Sequence, residues 1–322
     1  MADAAKSKDQ AKSQSRQVGT PKGSRAVTKQ SKSSTGVIAW VAVFVVVAII
    51  AVVVIVGVTN KKSTSGNGGF TPAPASVVTP VVSIPMSTYN AIGISGPNVN
   101  ANPIVVSSAV NGGTTPPLQR LKNPVGQLLP GVFYNGAEFC PYCAAERWGM
   151  VAALSRFGTW SHLGLTTSSS IDVSPNTNTF SFRNAQLMSS LIGFQSVENT
   201  TNQIDPKNPN AYTPLQSPNA VQRHIIAVYD NPPYASAAGY PFVSFGNQAL
   251  IVTPTYSPDV LAGLNWQQIS NLLKDPNNAV TQDIVASANY ISASVCHIDG
   301  QQPAAVCSSS GVQAATKAIG FK

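Results

Sequence analysis

The chain has 322 residues, enough for one or two domains with a proper core, and only 10% of them are charged. Its net charge of +8 is concentrated at one end. Residues 1–35 hold eight Lys or Arg against Asp3 and Asp9, Lys61 and Lys62 add two more, and from residue 63 onward ten basic residues balance ten acidic ones. The globular part therefore gives no electrostatic reason to expect nucleic acid as a partner.

In chain order, residues 1–35 are rich in Lys, Ser, Gln and Ala and lack large apolar side chains, so burial cannot offset the entropy of ordering them. A disordered basic tail is expected. Gly36 to Val58 is then an unbroken apolar run of 23 residues, long enough at about 1.5 Å per residue to cross a hydrocarbon core of roughly 30 Å. A cleaved signal peptide is the alternative, but its apolar region is shorter and no small-x-small site follows here. With more positive charge before the run than after it, the tail should be cytoplasmic and the rest of the chain extracytoplasmic, on a single-pass membrane helix.

Residues 59–114 read as an extracytoplasmic linker: Ser63 to about Ser83 is rich in Ser, Gly, Pro and Thr, as a flexible spacer would be. Within it Ile104-Val105-Val106 is a possible edge strand. The domain itself is expected over 115–310, with 311–322 as a C-terminal tail. Val132-Phe133-Tyr134 is a short strand, followed by Cys140-Pro141-Tyr142-Cys143 and a helix to Phe157, with Gly158 as a stop. Ser170–Val173 and Thr179–Phe182 alternate polar with apolar around Ser174-Pro175-Asn176 and predict two strands joined by a turn. Ala220–Tyr229 suits helix or strand, with Ser217-Pro218 favouring a helix start. Tyr240–Phe245 and Ala249–Val252 predict strands, and Asn265–Lys274 and Asn277–Val295 predict helices broken by Pro276. The fold class is α/β.

Cysteines three apart on a helix share a face, so Cys140 and Cys143 suit one small disulfide loop, expected to be exposed and labile. A thiol at a helix N-terminus meets unpaired N–H groups and the positive end of the helix dipole, which favours its thiolate. Cys140 is that thiol, and Cys143 is placed to resolve the mixed disulfide. The alternatives are an inert disulfide or half a zinc knuckle; the preceding strand and Pro141 favour redox chemistry. Outside the reducing cytosol Cys296 and Cys307 form a natural structural disulfide, a staple of about 2 to 3 kcal/mol. Their ten-residue gap is unlike a knuckle, so a four-thiolate zinc site is not expected. Neither metal nor cofactor is implied, and His162, His224 and His297 read as surface or satisfied residues, with His297 next to Cys296.

Ala137-Glu138-Phe139-Cys140-Pro141-Tyr142-Cys143 resembles the thioredoxin superfamily signature, and Gly239-Tyr240-Pro241-Phe242-Val243 resembles its cis-proline loop. Cys143-Ala144-Ala145-Glu146-Arg147-Trp148 with Leu154-Ser155-Arg156-Phe157-Gly158 is similar to the uncharacterised membrane-anchored family called domain of unknown function 929, the resemblance running from about 115 to about 310. It implies a thioredoxin-like fold with a helical insertion between Cys143 and Pro241. It also implies Cys140 as nucleophile, Cys143 as resolving thiol, Pro241 as cis proline, and Tyr240 and Tyr142 as substrate-binding residues. The superfamily's buried acid before the first cysteine is replaced by Tyr134, which points away from a thioredoxin-like reductant. The resulting expectation is a membrane-anchored thiol-disulfide oxidoreductase that oxidises or isomerises cysteines of extracytoplasmic proteins and is recycled by a membrane redox partner. A non-catalytic binding module and a dedicated reductant in metal or haem-protein maturation are the alternatives.

Overall fold

The computed structural model describes residues 70–108 and 114–321. These fall in one of the two units into which the chain divides, spanning 63–322. The basic tail and the apolar run expected at 36–58 lie outside the described residues. Among the described residues no helix is long and apolar enough to cross a membrane.

The elements are, in order, β1 (Thr71–Pro72), α1 (Ala75–Val82), α2 (Met86–Ile92), β2 (Ile104–Val105), β3 (Arg120–Lys122), β4 (Leu128–Gly136) and α3 (Pro141–Leu154). Then come β5 (Thr159–Ser161), β6 (Gly164–Thr167), β7 (Asn178–Ser181), β8 (Gln186–Met188), β9 (Gly193–Glu198), β10 (Thr200–Asp205), β11 (Asn208–Pro214) and α4 (Ala220–Tyr229). The chain continues with β12 (Phe242–Phe245), β13 (Ala249–Ile251), a short 3-10 turn, α5 (Trp266–Leu272), α6 (Ala279–Ile298), α7 (Ala304–Cys307) and α8 (Ser310–Ile319).

The main sheet is mixed. In it β4 runs parallel to β9, with Gly131 opposite Gly193 and Gly136 opposite Glu198. On its other side β4 is antiparallel to β12, with Phe242 opposite Asn135. Beyond β12 lie β13 and the edge strand β2, and β3 pairs with the start of β4. Side chains alternate across this sheet as the pleat requires. Val132, Tyr134, Val243, Phe245, Ala249 and Ile251 enter the core shared with α3 and α6, whereas Phe133, Phe242 and Leu250 face α4 through Ile225 and Tyr229. The result is a three-layer α/β/α arrangement, with α3 and α6 packed against each other on one face of the sheet and α4 on the other. Close approach there depends on Gly149, where a Cβ would come within 2.3 Å of Ser287 Oγ.

Helix starts follow local chemistry. Pro141 occupies the first turn of α3, where its missing N–H costs nothing. Asn219 and Gln222 form a capping box on α4, which settles Ala220–Tyr229 as a helix, and Asn265 with Gln268 does the same for α5.

Several expectations are corrected. The insertion after α3 is largely strands, not helical: β5 pairs β8, β6 lies between β1 and β7, and β10 pairs β11 in a hairpin. Residues 75–92, read as spacer from their composition, form α1 and α2, with Val77, Val81, Tyr89 and Ile92 buried. Residues 311–319, read as tail, belong to α8 and bury Val312, Ala315 and Ile319. Residues 170–173 are not a strand. Their neighbours bond locally instead, Thr177 N–H donating to Ser168 Oγ and the Ser168 hydroxyl to the Ser174 carbonyl, with Ser174 and Asn176 in the left-handed region.

Candidate functional site

Strand β4 ends at Gly136 and the chain turns through Ala137–Phe139 into α3, so Cys140 becomes the N-cap of that helix. Its backbone is extended, and its sulfur accepts the Cys143 N–H at 3.3 Å. The Cys140 thiol also reaches the Tyr240 carbonyl, at 3.8 Å. The Tyr240–Pro241 peptide is cis, and Pro241 is buried directly before β12. Thus Cys140, Cys143, Tyr240 and Pro241, a hundred residues apart in sequence, meet at the end of the central sheet. Tyr142 and Tyr240 flank them and are 41% and 37% exposed. Cys296 and Cys307 are not part of this cluster. They form a disulfide tying the last turn of α6 to α7, which also removes both from any four-thiolate set. His297 stacks on Phe321 at 4.1 Å.

The exposure expected of the cysteine pair is corrected. Both are unlinked thiols here; Cys140 is 5% exposed and Cys143 not at all. The insertion packs on the turn that leads into Cys140. Glu138 N–H donates to the Thr200 carbonyl of the β10–β11 hairpin, and Phe139 stacks on Tyr212 of that hairpin at 4.1 Å while meeting Tyr240 edge-on at 6.3 Å. Beside it an open polar cavity of about 310 Å³ is lined by residues such as Ser169, Asn176 and Asn202.

The two thiols are driven apart in acidity. The hydrogen bond from the Cys143 side chain, its backbone N–H and the Arg147 charge together pull Cys140 below the ordinary thiol range against the effect of burial. Burial pushes Cys143 well above it, with the Cys140 hydrogen bond and charge adding to the rise. A thiol whose thiolate is favoured, next to one whose proton is held, is the arrangement that attack followed by resolution requires.

Beneath the pair lies a feature that composition and spacing did not flag. Arg147, one turn after Cys143, and Glu198, at the end of β9, form a fully buried ion pair. Arg147 Nε and Nη2 donate to the two Glu198 carboxylate oxygens at 2.9 and 2.8 Å, and Nη2 also donates to the Ala137 carbonyl at 2.7 Å. Phe182 N–H donates to the same carboxylate. Burial raises the Glu198 carboxyl and Arg147 pulls it back; burial is the largest effect on Arg147 and opposes its charge, but Glu198, Tyr134 and Cys143 together outweigh it and hold the guanidinium protonated. The helical position of Arg147, four residues past Cys143, could have placed it under the site. Nothing local announces Glu198, which arrives only through the parallel register of β9 on β4. Glu138, half-buried beside Phe139, accepts the Ser181 hydroxyl at 2.6 Å.

A family model described as "Domain of unknown function (DUF929)" matches residues 125–297, more than half of the chain. The chain belongs to this family. The match takes in β4, the Cys140–Cys143 helix, the Arg147–Glu198 pair, the cis-proline loop and nearly all of α6. Comparison with curated proteins and with solved structures finds no match. For this DUF929 member, function has to be read from the site itself.

Proposed function

We propose that this DUF929 chain is a thioredoxin-like thiol-disulfide oxidoreductase, anchored in a membrane through residues 36–58 and acting on cysteines of extracytoplasmic proteins as oxidase or isomerase. The observation that carries the reading is the Cys140 sulfur at the N-cap of α3, within 3.8 Å of the Tyr240 carbonyl that precedes cis Pro241. Supporting it is the order β4–α3–β9 followed by β12–β13–α6, a parallel pair extended by an antiparallel pair with helices on both faces. This order is the one that the thioredoxin-like reading expects. The client segment would lie across Tyr142 and Tyr240, and a membrane redox partner would recycle the pair.

The chemistry is thiol exchange. Cys140 forms the mixed disulfide with the client, and Cys143 breaks or releases it. Oxidised full-length protein should oxidise a reduced, unfolded client, and Cys140→Ser should abolish that activity while Cys143→Ser accumulates a client adduct trapped on Cys140. Undiminished turnover in Cys140→Ser overturns the assignment.

The near-complete burial of Cys140 favours a second reading, a thioredoxin-fold binding module without turnover. A Cys140–Cys143 disulfide that resists strong reductant would support it.

A further inference from the structure

Whichever way electrons flow, one step puts a full negative charge on Cys143. When a client thiolate attacks the Cys140 sulfur, a client–Cys140 bond forms, the Cys140–Cys143 bond breaks, and Cys143 leaves with the electron pair. In reverse, the Cys143 thiolate attacks Cys140, the Cys140–client bond breaks, and the client sulfur leaves with the pair. Cys143 has no solvent exposure, so water cannot stabilise that charge.

Two hydrogen-bond donors are held ready near it. Among the described residues the Tyr134 hydroxyl and Arg147 Nη1 are buried without a hydrogen bond of full geometry, and the hydroxyl interacts with the Cys143 side chain. The rest of Arg147 is fixed by Glu198 and the Ala137 carbonyl, and its guanidinium lies 5.8 Å from the centre of the Tyr134 ring. Tyr134 enters the same core as Cys143. Room for its hydroxyl depends on Gly136, where a Cβ would come within 2.1 Å of the phenol oxygen. An orphaned buried donor is costly unless a state of the protein uses it.

We propose that the Tyr134 hydroxyl and the Arg147 guanidinium together stabilise the Cys143 thiolate during disulfide exchange, with Glu198 as the positioning residue that fixes Arg147. The inference rests on the redox reading above. The groups facing Cys143 are Cys140 and Arg147 on its own helix, Tyr134 on β4, Glu198 on β9 and Tyr240 before β12. Of the two buried charges Arg147 acts on Cys143 more strongly, in the direction that favours its thiolate. Burial keeps the Tyr134 phenol protonated, and a charged Cys143 reinforces this, so Tyr134 remains a donor throughout. Tyr134 gives up no proton in the step, whereas the Cys143 thiol must lose its own to solvent base before it attacks, which makes that attack pH-dependent.

The test uses reduced full-length protein and dithiobis(nitrobenzoate), which reads both thiols without a protein client. Attack by Cys140 releases one nitrothiobenzoate and leaves the other on Cys140; attack by Cys143 then releases the second. In Tyr134→Phe the first release should keep its rate, and the second should slow by about tenfold with its pH midpoint moved upward, as expected for loss of a hydrogen bond to a charged group. Arg147→Gln should slow the second release likewise and also move the pH midpoint of the first upward, since its charge favours the Cys140 thiolate as well, and Arg147→Lys should restore most of both, all with unchanged circular dichroism. A second release unaltered in Tyr134→Phe and Arg147→Gln overturns the proposal. Equal slowing in Arg147→Lys and Arg147→Gln with no pH shift also overturns it, by making the role structural. An absent first release in the unaltered protein is a different failure, that of the redox reading itself.

Discussion

Glu146 shows what burial does to a single side chain in this protein. It sits on α3 with no exposure, and its carboxylate accepts the Thr255 N–H at 2.9 Å, the Thr255 hydroxyl at 3.0 Å and the Ser287 hydroxyl at 3.4 Å. Burial pushes its pKa up to about 7, and these three bonds only partly offset the rise. A carboxyl raised above its unfolded value of 4.5 stabilises the fold in its protonated form, and that contribution is lost as pH rises through about 7. Stability should therefore fall by about 2 kcal/mol between about pH 5.5 and about pH 8 on account of this residue. Urea unfolding of Glu146→Gln should show a shallower fall than the unaltered protein, and an equal fall in both would refute it. What remains in the variant belongs to the other carboxyls that burial raises, among them Asp230, raised to about 7 while accepting the Gly239 N–H, and Asp299, raised to about 6. At this scale the sequence identified Cys140, Cys143, Tyr240 and Pro241, because a helix cap and a proline loop are local. It did not reveal that Glu146, Arg147 and Glu198 are all buried, since charge in a sequence carries no sign of depth.

Among the elements, α3 and α6 form the packed pair on which the site rests. Their contact is close at Gly149 and Ser287, while Trp148 of α3 packs on Phe180 at 4.6 Å and donates to the Asn178 carbonyl of β7. Gly149→Leu should cost about 1 to 3 kcal/mol through overpacking, read as a lower denaturant midpoint with the slope retained. An unchanged midpoint would show that the helices separate easily. The long periodic segments were legible: Asn265–Lys274 and Asn277–Val295 correspond to α5 and α6, and the strands before and after Gly246 to β12 and β13. Short elements were not. Residues 170–173 alternate like a strand, but the Ser168, Ser169 and Asp172 side chains bond nearby backbone there, and local bonds outcompete a ladder that has no partner.

For the whole molecule, the structured region begins well before residue 115. Tyr89 of α2 donates to the Ala152 carbonyl of α3 at 3.1 Å, Arg156 lies 4.2 Å from the centre of its ring, and Asn289 of α6 donates to its carbonyl at 2.9 Å. A spacer would tolerate change at this position. Tyr89→Ala should instead destabilise the protein by about 3 to 5 kcal/mol, as for other buried aromatic truncations, measured by chemical unfolding. A loss within the range of ordinary surface substitutions would return residues 75–92 to the status of a linker.

The sequence by itself determined the α/β class, the strand-to-helix junction that carries Cys140 and Cys143, the proline loop opposite them, and the family. Each depends on periodicity, capping or a motif within a few residues. Only the tertiary structure decided that the insertion is β-rich, that its hairpin packs on the turn before Cys140, that α1, α2 and α8 join the core, and that Arg147 and Glu198 meet beneath Cys143. Those outcomes depend on contacts between distant segments, where apolar area, register and the cost of burying charge decide, and neither Ser/Pro-rich composition nor short alternation encodes them locally.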